Sequence, residues 1–124
     1  MGARNVSGNS TSAGGGLPPG QKARLASLVS YQEGSVVSRT LLEDKAGTVT
    51  LFAFDAGQGL SEHTAPYDAL LQLVEGQAEV TVAGNESRLE AGDAILLPAG
   101  KLHAVRASTR FKMLLTMIRS GRKA

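Results

Sequence analysis

The chain has 124 residues, of which 42% are hydrophobic, which is enough for one globular core and too little for two. It has no cysteine, so disulfide bonds, thiolate metal sites and cysteine nucleophiles are excluded, and a reducing compartment suits it. It also shows neither an apolar run near the roughly 20 residues that span a bilayer nor a secretory signal. We therefore expect a cytoplasmic protein with no membrane partner.

The formal net charge of +2 is unevenly distributed along the chain. Residues 31–118 contain seven Lys and Arg against all eleven Asp and Glu, a net charge of −4, and the other six basic residues lie in the flanks. Duplex binding needs a basic face on the folded body, and single-strand binding needs aromatic platforms. With an acidic body, three Phe and no Trp, the chain is not expected to bind nucleic acid.

The N-terminal region divides into two parts. Residues 1–20 are rich in Gly, Ser, Asn and Pro, which predicts a disordered leader. In residues 21–30, Leu25, Leu28 and Val29 stand at i, i+3 and i+4, which favours one or two helical turns packed on the body, with a short extended arm as the alternative. We expect one domain over residues 21–119, a barrel with this arm, followed by a flexible tail at 120–124.

After Gly34 the pattern changes to blocks of five to eight residues rich in β-branched side chains and separated by turn residues, which is typical of an all-β fold. Ala83-Gly84 lies between two such blocks and predicts a hairpin turn. No segment is suited to the helical crossovers of a parallel α/β sheet, so a sandwich or a barrel is expected. The predicted strands are 35–42, 48–55, 69–75, 77–82, 86–89, 94–97, 103–107 and 111–119.

Two segments carry the motifs of this chain. The first begins at Gly57, includes His63 and ends at Gly76; the second runs from Gly92 through Pro98-Ala99-Gly100 to His103. The two glycines suit tight turns, and Pro98-x-Gly100 predicts a rigid corner that redirects the chain into the next strand. Residues two or four apart on a strand share a face, so positions 63 and 65, and positions 103 and 107, are expected to face the same interior.

These segments resemble the two motifs of the cupin superfamily, G-x5-H-x-H-x3-E-x6-G and G-x5-P-x-G-x2-H-x3-N. The second motif matches at every defined position except the last, where Ala107 stands in place of Asn, and the only two histidines of the chain fall on motif histidine positions. The resemblance extends from about residue 34 to residue 118. It implies an all-β, double-stranded β-helix (jelly-roll) barrel that encloses a pocket.

The resemblance also implies what the pocket can bind. Metal-binding cupins use two histidines and a carboxylate from the first motif and one histidine from the second, a set suited to iron, manganese, nickel or zinc. In this chain Ala65 and Ala69 occupy the second histidine and the carboxylate positions, which leaves His63 and His103. Asp68, next to the carboxylate position, has the wrong strand parity and is expected to point away from the pocket unless a bulge re-aims it. A third donor from Gln58, Glu62 or Asp68 would need such a local irregularity. A divalent transition metal is thus expected, if at all, to be weakly held by His63 and His103.

Without a metal, the two histidines become polar groups in a mostly aliphatic cup, which is the usual form of a small-molecule site. Phe52, Leu71, Met113 or Met117 are expected among the lining residues. The candidate ligand-binding residues are Gln58, Glu62, His63, Tyr67 and His103.

Three functions stay open on this sequence. The first is a module that binds a small organic ligand. The second is a small cupin enzyme that acts on a sugar-like or oxo-acid metabolite, either metal-assisted or with His63 or His103 as general acid or base. The third is an accessory barrel that self-associates through strand 35–42 and the arm at 21–30. A homodimer is expected from the resemblance, because small cupins commonly pair.

Overall fold

The computed structural model describes residues 6–7, 9–12 and 14–119, and of residues 6–7 and 9–12 it describes only the backbone. These residues form an all-β structure with a single turn of 3-10 helix, Leu25–Ser27. Over this part of the chain, there is no helix with the length and apolar content to cross a membrane. The strands are β1 (Val6–Ser7), β2 (Asn9–Ser12), β3 (Ser35–Asp44), β4 (Gly47–Phe54), β5 (Gly59–His63), β6 (Asp68–Val82), β7 (Asn85–Glu90), β8 (Ala94–Leu97), β9 (His103–Arg106) and β10 (Phe111–Ile118).

The long strand β6 connects the two halves of a barrel. Its first half pairs with β10 and β8, and its second half pairs with β7 and β9. From these pairs the order extends through β10, β4 and β3 on one side and through β9 and β5 on the other. The result is a curled, mainly antiparallel double sheet, which confirms the predicted jelly-roll class.

The prediction of separate strands at 69–75 and 77–82 is wrong. Gly76 lies inside β6 with a φ of 83°, and the pairing of β10 with β6 shifts register between Lys112 and Met113. A left-handed residue combined with a bulge bends a strand sharply without ending it. This bend carries β6 from one sheet to the other.

The other predicted strands agree with the structure within one or two residues at either end. The hairpin prediction is confirmed, because Ala83 and Gly84 separate β6 from β7 with φ values of 49° and 83°. Strand β5 was not predicted, since Gly59–His63 contains no β-branched residue. Its strand conformation comes from antiparallel pairing with β9.

The main core fills the space between the two sheets. It is formed by alternating inward side chains, as strands with one buried face require. Phe54 and Phe111 stack at its centre with ring centroids 4.5 Å apart. A second cluster, which includes Val37, Leu41 and Leu51, lies on the outer face of the sheet that contains β3 and β4.

The N-terminal arm, residues 17–31, covers this second cluster. Leu17, Leu28 and Val29 pack against it. The arm is held by the Tyr31 hydroxyl, which donates to Glu75 at 2.6 Å, and by Lys112 Nζ, which donates to the carbonyl of Ala26 at 2.5 Å. Burial, together with the bonded Glu75 carboxylate, raises the pKa of Tyr31 far above its usual range. The arm is thus extended, with one short helical turn.

The backbone of part of the predicted leader forms strands β1 and β2, which pair with β5 and β3. Residues 1–5, 8, 13 and the predicted tail at 120–124 lie outside the described residues. The division of the chain into leader, barrel and tail stays a prediction.

Candidate functional site

A cavity lies between the two sheets at the end of the barrel where β5 stops and β9 begins; we call it the cup. Its volume is about 30 Å³, and its lining is mainly aliphatic. The lining residues are Leu60, His63, Ala65, Tyr67, Ala69, Leu71, Leu97, His103, Val105, Met113, Leu115 and Met117.

The two histidines meet because β5 and β9 are paired. His63 is the last residue of β5 and His103 is the first of β9, and the register places them opposite each other. Their rings form a T-shaped pair with centroids 4.4 Å apart. His63 Nδ1 lies 2.7 Å from the carbonyl oxygen of Ser61. A carbonyl can only accept, so Nδ1 of His63 carries a proton, and in that tautomer Nε2 is the acceptor.

His103 is the more buried of the pair, with 6% of its surface exposed. Burial lowers its pKa and the neighbouring His63 lowers it further, while the Lys101 carbonyl acts in the opposite direction. Among the residues that the structure describes, no group completes a hydrogen bond to the buried Nδ1 of His103. An unsatisfied buried polar atom costs about 1–3 kcal/mol. His103 therefore favours the neutral imidazole more than a free histidine does, and its Nδ1 has unused hydrogen-bonding capacity.

The loop between β5 and β6 is fastened to the corner that follows β8. The Gly100 amide donates to the carbonyl of Ala65 at 2.8 Å, and the Ala99 amide donates to Asp68 Oδ1 at 2.8 Å. Gly100 has a φ of 79°, a conformation that glycine adopts without strain. These contacts hold Ala65 and Tyr67 at the cup. The Asp68 carboxylate accepts the hydrogen bond from Ala99 outside the cup.

The structure brings three of the five candidate ligand-binding residues together. His63, Tyr67 and His103 line the cup with the expected Leu71, Met113 and Met117. Glu62 is exposed, and Gln58 lines a separate surface groove beside Glu79 and Arg106, with its Oε1 buried and unpartnered. Phe52 belongs to the main core and not to the cup lining.

Some lining residues were missed by the sequence reasoning. Leu60 was missed because β5 was not recognised as a strand. Val105 stands two residues after His103, so strand parity could have placed it in the cup. Leu115 lies two residues from both Met113 and Met117, so strand parity could have placed it in the cup as well.

The donor set of the cup does not fit the metal that the motif resemblance implies. Ala65 and Ala69 both line the cup, so the positions of the missing ligands face the histidines with methyl groups. Within the described ranges, no three His, Asp or Glu side chains stand close enough to hold an ion. Two imidazoles fall short of the three or four protein ligands of ordinary catalytic or structural sites.

Comparison with known proteins identifies the family. The sequence profile of the family described as "Cupin domain" matches residues 50–119, more than half of the chain. The chain belongs to the cupins. No curated protein matches the sequence of this cupin.

Several solved structures are similar to this cupin. One is a conserved protein of unknown function from Streptococcus pyogenes, 30% identical with a TM-score of 0.80, in a match that covers 86% of this chain and 93% of that chain. Another is a cupin superfamily protein from Desulfitobacterium hafniense, 32% identical with a TM-score of 0.79, covering 84% of this chain and 95% of that one. A cupin 2 conserved barrel domain protein from Leptotrichia buccalis is 36% identical with a TM-score of 0.73, in a match that covers 76% of this chain and 46% of that chain.

Proposed function

We propose that this cupin is a binding protein that holds a compact, uncharged organic ligand in the cup. The observation that carries the proposal is the convergence of two imidazoles, 4.4 Å apart, on an aliphatic cavity in which a buried nitrogen of His103 has no partner. An apolar cavity with a few convergent polar groups is the common form of a small-molecule site. Because a chain without cysteine suits a reducing compartment, we expect a cytoplasmic metabolite.

The size of the cup limits the ligand. A cavity of about 30 Å³ holds on the order of two water molecules. A larger ligand therefore displaces part of the lining, and the side chains best able to move are Met113 and Met117, which are unbranched and flexible. Tyr67, half-buried in the loop between β5 and β6, is the other candidate. We expect a ligand of few non-hydrogen atoms.

The charge of the cup limits the ligand further. Its lining contains no Asp, Glu, Lys or Arg, and its polar groups are two imidazoles and one phenol. A buried charge without a partner is strongly unfavourable, whereas a neutral hydroxyl, carbonyl or amide can exchange a hydrogen bond with imidazole. Neutral alcohols, ketones and amides are thus preferred over carboxylates of the same shape.

A thermal-shift screen with neutral compounds of about ten or fewer non-hydrogen atoms, and their matched carboxylates, tests this function. At 100 times its dissociation constant, a ligand adds about 2.7 kcal/mol to the free energy of unfolding, which raises the melting temperature by several degrees. Neutral compounds should stabilise the protein and their carboxylate analogues should not.

Substitution of two native alanines tests whether the stabilising compound binds in the cup. Ala69→Leu fills the cup and should abolish the stabilisation, whereas Ala94→Leu, at an exposed position of β8, should retain it. If no neutral compound stabilises the protein, or if stabilisation survives in Ala69→Leu, the cup is not the binding site.

Proton transfer is a second candidate function. It is favoured by His103, because burial lowers the pKa of this imidazole and so favours its neutral form, which can accept a proton. The test is deuterium exchange, followed by NMR, at the carbon next to the carbonyl of small sugar-like ketones and oxo acids. Exchange that disappears in His103→Gln would support this function, and no exchange above the buffer rate would exclude it for the compounds tested.

A further inference from the structure

The hydrogen-bonding groups of the cup define its ligand more narrowly than its charge does. The polar lining residues are His63, His103 and Tyr67, and the other lining side chains are aliphatic or methionine. A neutral imidazole has one N–H donor and one nitrogen that can only accept. The nitrogen that carries the hydrogen on each ring therefore decides whether the cup binds hydrogen-bond donors or acceptors.

His63 presents an acceptor. Its Nδ1–H donates to the carbonyl oxygen of Ser61, 2.7 Å away on the same strand. Nε2 takes no part in this bond, and in this tautomer it carries the lone pair. The Ser61 carbonyl thus fixes the tautomer of His63, because the hydrogen bond made by one ring nitrogen sets the role of the other.

His103 presents a second acceptor. Its ring donates to the carbonyl of Lys101, which can only accept. Within the described ranges, the buried Nδ1 of His103 has no hydrogen-bond partner, so the N–H of this ring belongs to Nε2 and the lone pair to Nδ1. Buried N–H groups without a partner are also rarer in proteins than unpaired acceptors, which favours the same tautomer.

The two acceptors are close enough to share one group of the ligand. The rings of His63 and His103 form a T-shaped pair with centroids 4.4 Å apart. A single NH2 group donates in two directions about 120° apart, so with bonds of about 2.9 Å it spans acceptors about 5 Å apart. Rings at this spacing can present nitrogens at that separation.

Tyr67 supplies the third polar group. It is half-buried in the loop between β5 and β6, which is fastened at Ala65 by the Gly100 amide. A phenol O–H can donate to a carbonyl oxygen. Two acceptors and one donor are the complement of a primary amide, which has two N–H donors and one carbonyl acceptor.

Other head groups match this set less well. Ketones and esters have no donor and leave both imidazole acceptors unpaired, while an alcohol has only one donor. A primary amine has enough donors, but it is charged at neutral pH, and the cup lining has no carboxylate to balance that charge.

We propose that the cup recognises a primary amide, with the NH2 group bridging Nε2 of His63 and Nδ1 of His103 and the carbonyl oxygen accepting from the Tyr67 hydroxyl. The amide gives the buried Nδ1 of His103 the partner that it lacks among the described residues. This inference rests on the proposed binding function and names the ligand class of the same site.

A pair of compounds of the same shape tests the need for donors. Isobutyramide and 3-methyl-2-butanone differ only in an NH2 or a CH3 group on the carbonyl carbon. Two of the three methionines of the chain, Met113 and Met117, line the cup, so NMR titration of their labelled methyl groups reports binding there. The amide should bind at least about tenfold more tightly than the ketone, since the ketone leaves two buried acceptors unpaired.

Three variants assign the hydrogen bonds. His63→Leu removes one acceptor and should weaken isobutyramide about tenfold while leaving the ketone nearly unchanged. Tyr67→Phe removes the donor that both carbonyls use, so it should weaken both compounds by a similar factor. Tyr31→Phe is the matched control, because Tyr31 bonds Glu75 on the arm and does not line the cup. It should leave both affinities unchanged.

The tautomers can be measured without any ligand. Long-range ¹H–¹⁵N correlation spectra distinguish the two nitrogens of each imidazole, and the chain has only two histidines. The hydrogen should be on Nδ1 in His63 and on Nε2 in His103. The His63→Leu spectrum assigns the two sets of signals.

The results separate this inference from the function on which it rests. Tighter binding of the amide, together with Nε2–H in His103, supports the inference. Equal affinities for amide and ketone, or a hydrogen on Nδ1 of His103, overturn it and leave a small-molecule site in place. If neither compound shifts the signals of Met113 and Met117, both the inference and a site for such neutral compounds are wrong. If circular dichroism shows that His63→Leu is unfolded, the wild-type affinities and the tautomer of His103 decide.

Discussion

His103 illustrates how the barrel changes the chemistry of one residue. On the sequence it is a motif histidine, whereas in the structure it is buried and adjacent to His63, and both features lower its pKa. Ala65 and Ala69 limit the chemistry of the cup, because their methyl groups stand where further metal ligands would be needed. The site chemistry of this cupin therefore depends on two imidazoles and an aliphatic wall.

The pH dependence of stability should report the state of His103. Burial lowers its pKa in the folded protein, whereas the unfolded chain has the ordinary value of about 6.5. As the pH falls below this value, the unfolded state binds a proton that the folded state does not bind. The free energy of unfolding should therefore decrease as the pH falls, by at most about 1.4 kcal/mol per pH unit.

Urea unfolding at pH values between about 7.5 and 5.5 measures this decrease. It should be absent in His103→Gln and present in His63→Gln, because burial, the larger cause, is unchanged in the latter. A constant difference in stability between the wild type and His103→Gln over this pH range would contradict the assignment.

The missing ligands should be restorable, because positions 65 and 69 both line the cup. After incubation with Mn²⁺, Ni²⁺ or Zn²⁺ and dialysis, the wild type should retain far less than one equivalent of metal. Ala65→His combined with Ala69→Glu should retain about one equivalent, measured by elemental analysis. Ala94→Glu, on the exposed side of β8, is the control and should behave as the wild type. Near-stoichiometric metal in the wild type would show that two histidines suffice.

At the scale of elements, the bend in β6 organises the site. It allows one strand to supply Ala69 and Leu71 to the cup and then Val80 to the core between the sheets. The bend depends on Gly76, where a Cβ would overlap the carbonyl oxygen of Arg110 and contact Phe111. Gly84 has the same φ of 83° but open space around it.

These two glycines form a matched pair for mutation. Gly84→Ala should lower the free energy of unfolding by about 1–2 kcal/mol, the cost of a left-handed alanine. Gly76→Ala adds a clash with backbone and should cost at least about 2 kcal/mol more. Urea unfolding of both variants measures the difference. Equal losses would show that β6 relaxes around the added methyl group.

At the scale of the whole molecule, the barrel and the arm each bury apolar surface. The barrel encloses the main core, and the arm covers part of the outer face through Leu17, Leu28 and Val29. Leu42, Leu70, Leu96 and Ile118 stay exposed on this face in the described part of the chain.

The sequence by itself determined the features that depend on neighbouring residues. The strand-rich pattern, the Ala83-Gly84 hairpin and the corner at Pro98-x-Gly100 are local, because backbone preference and side-chain parity act over a few residues. The incomplete ligand set is also visible in the sequence, since Ala65 and Ala69 can be read directly at the motif positions.

The tertiary structure decided what depends on register between distant segments. β5 is a strand because it pairs with β9 and with β1, and the pairing with β9 brings His63 to His103. The placement of Gln58 and Glu62 apart from the cup, its volume of about 30 Å³ and the alignment of Leu42 with Leu96 across five strands follow from long-range pairing. Local patterns cannot specify these features, because a shift of one residue in any pair turns every side chain to the other face.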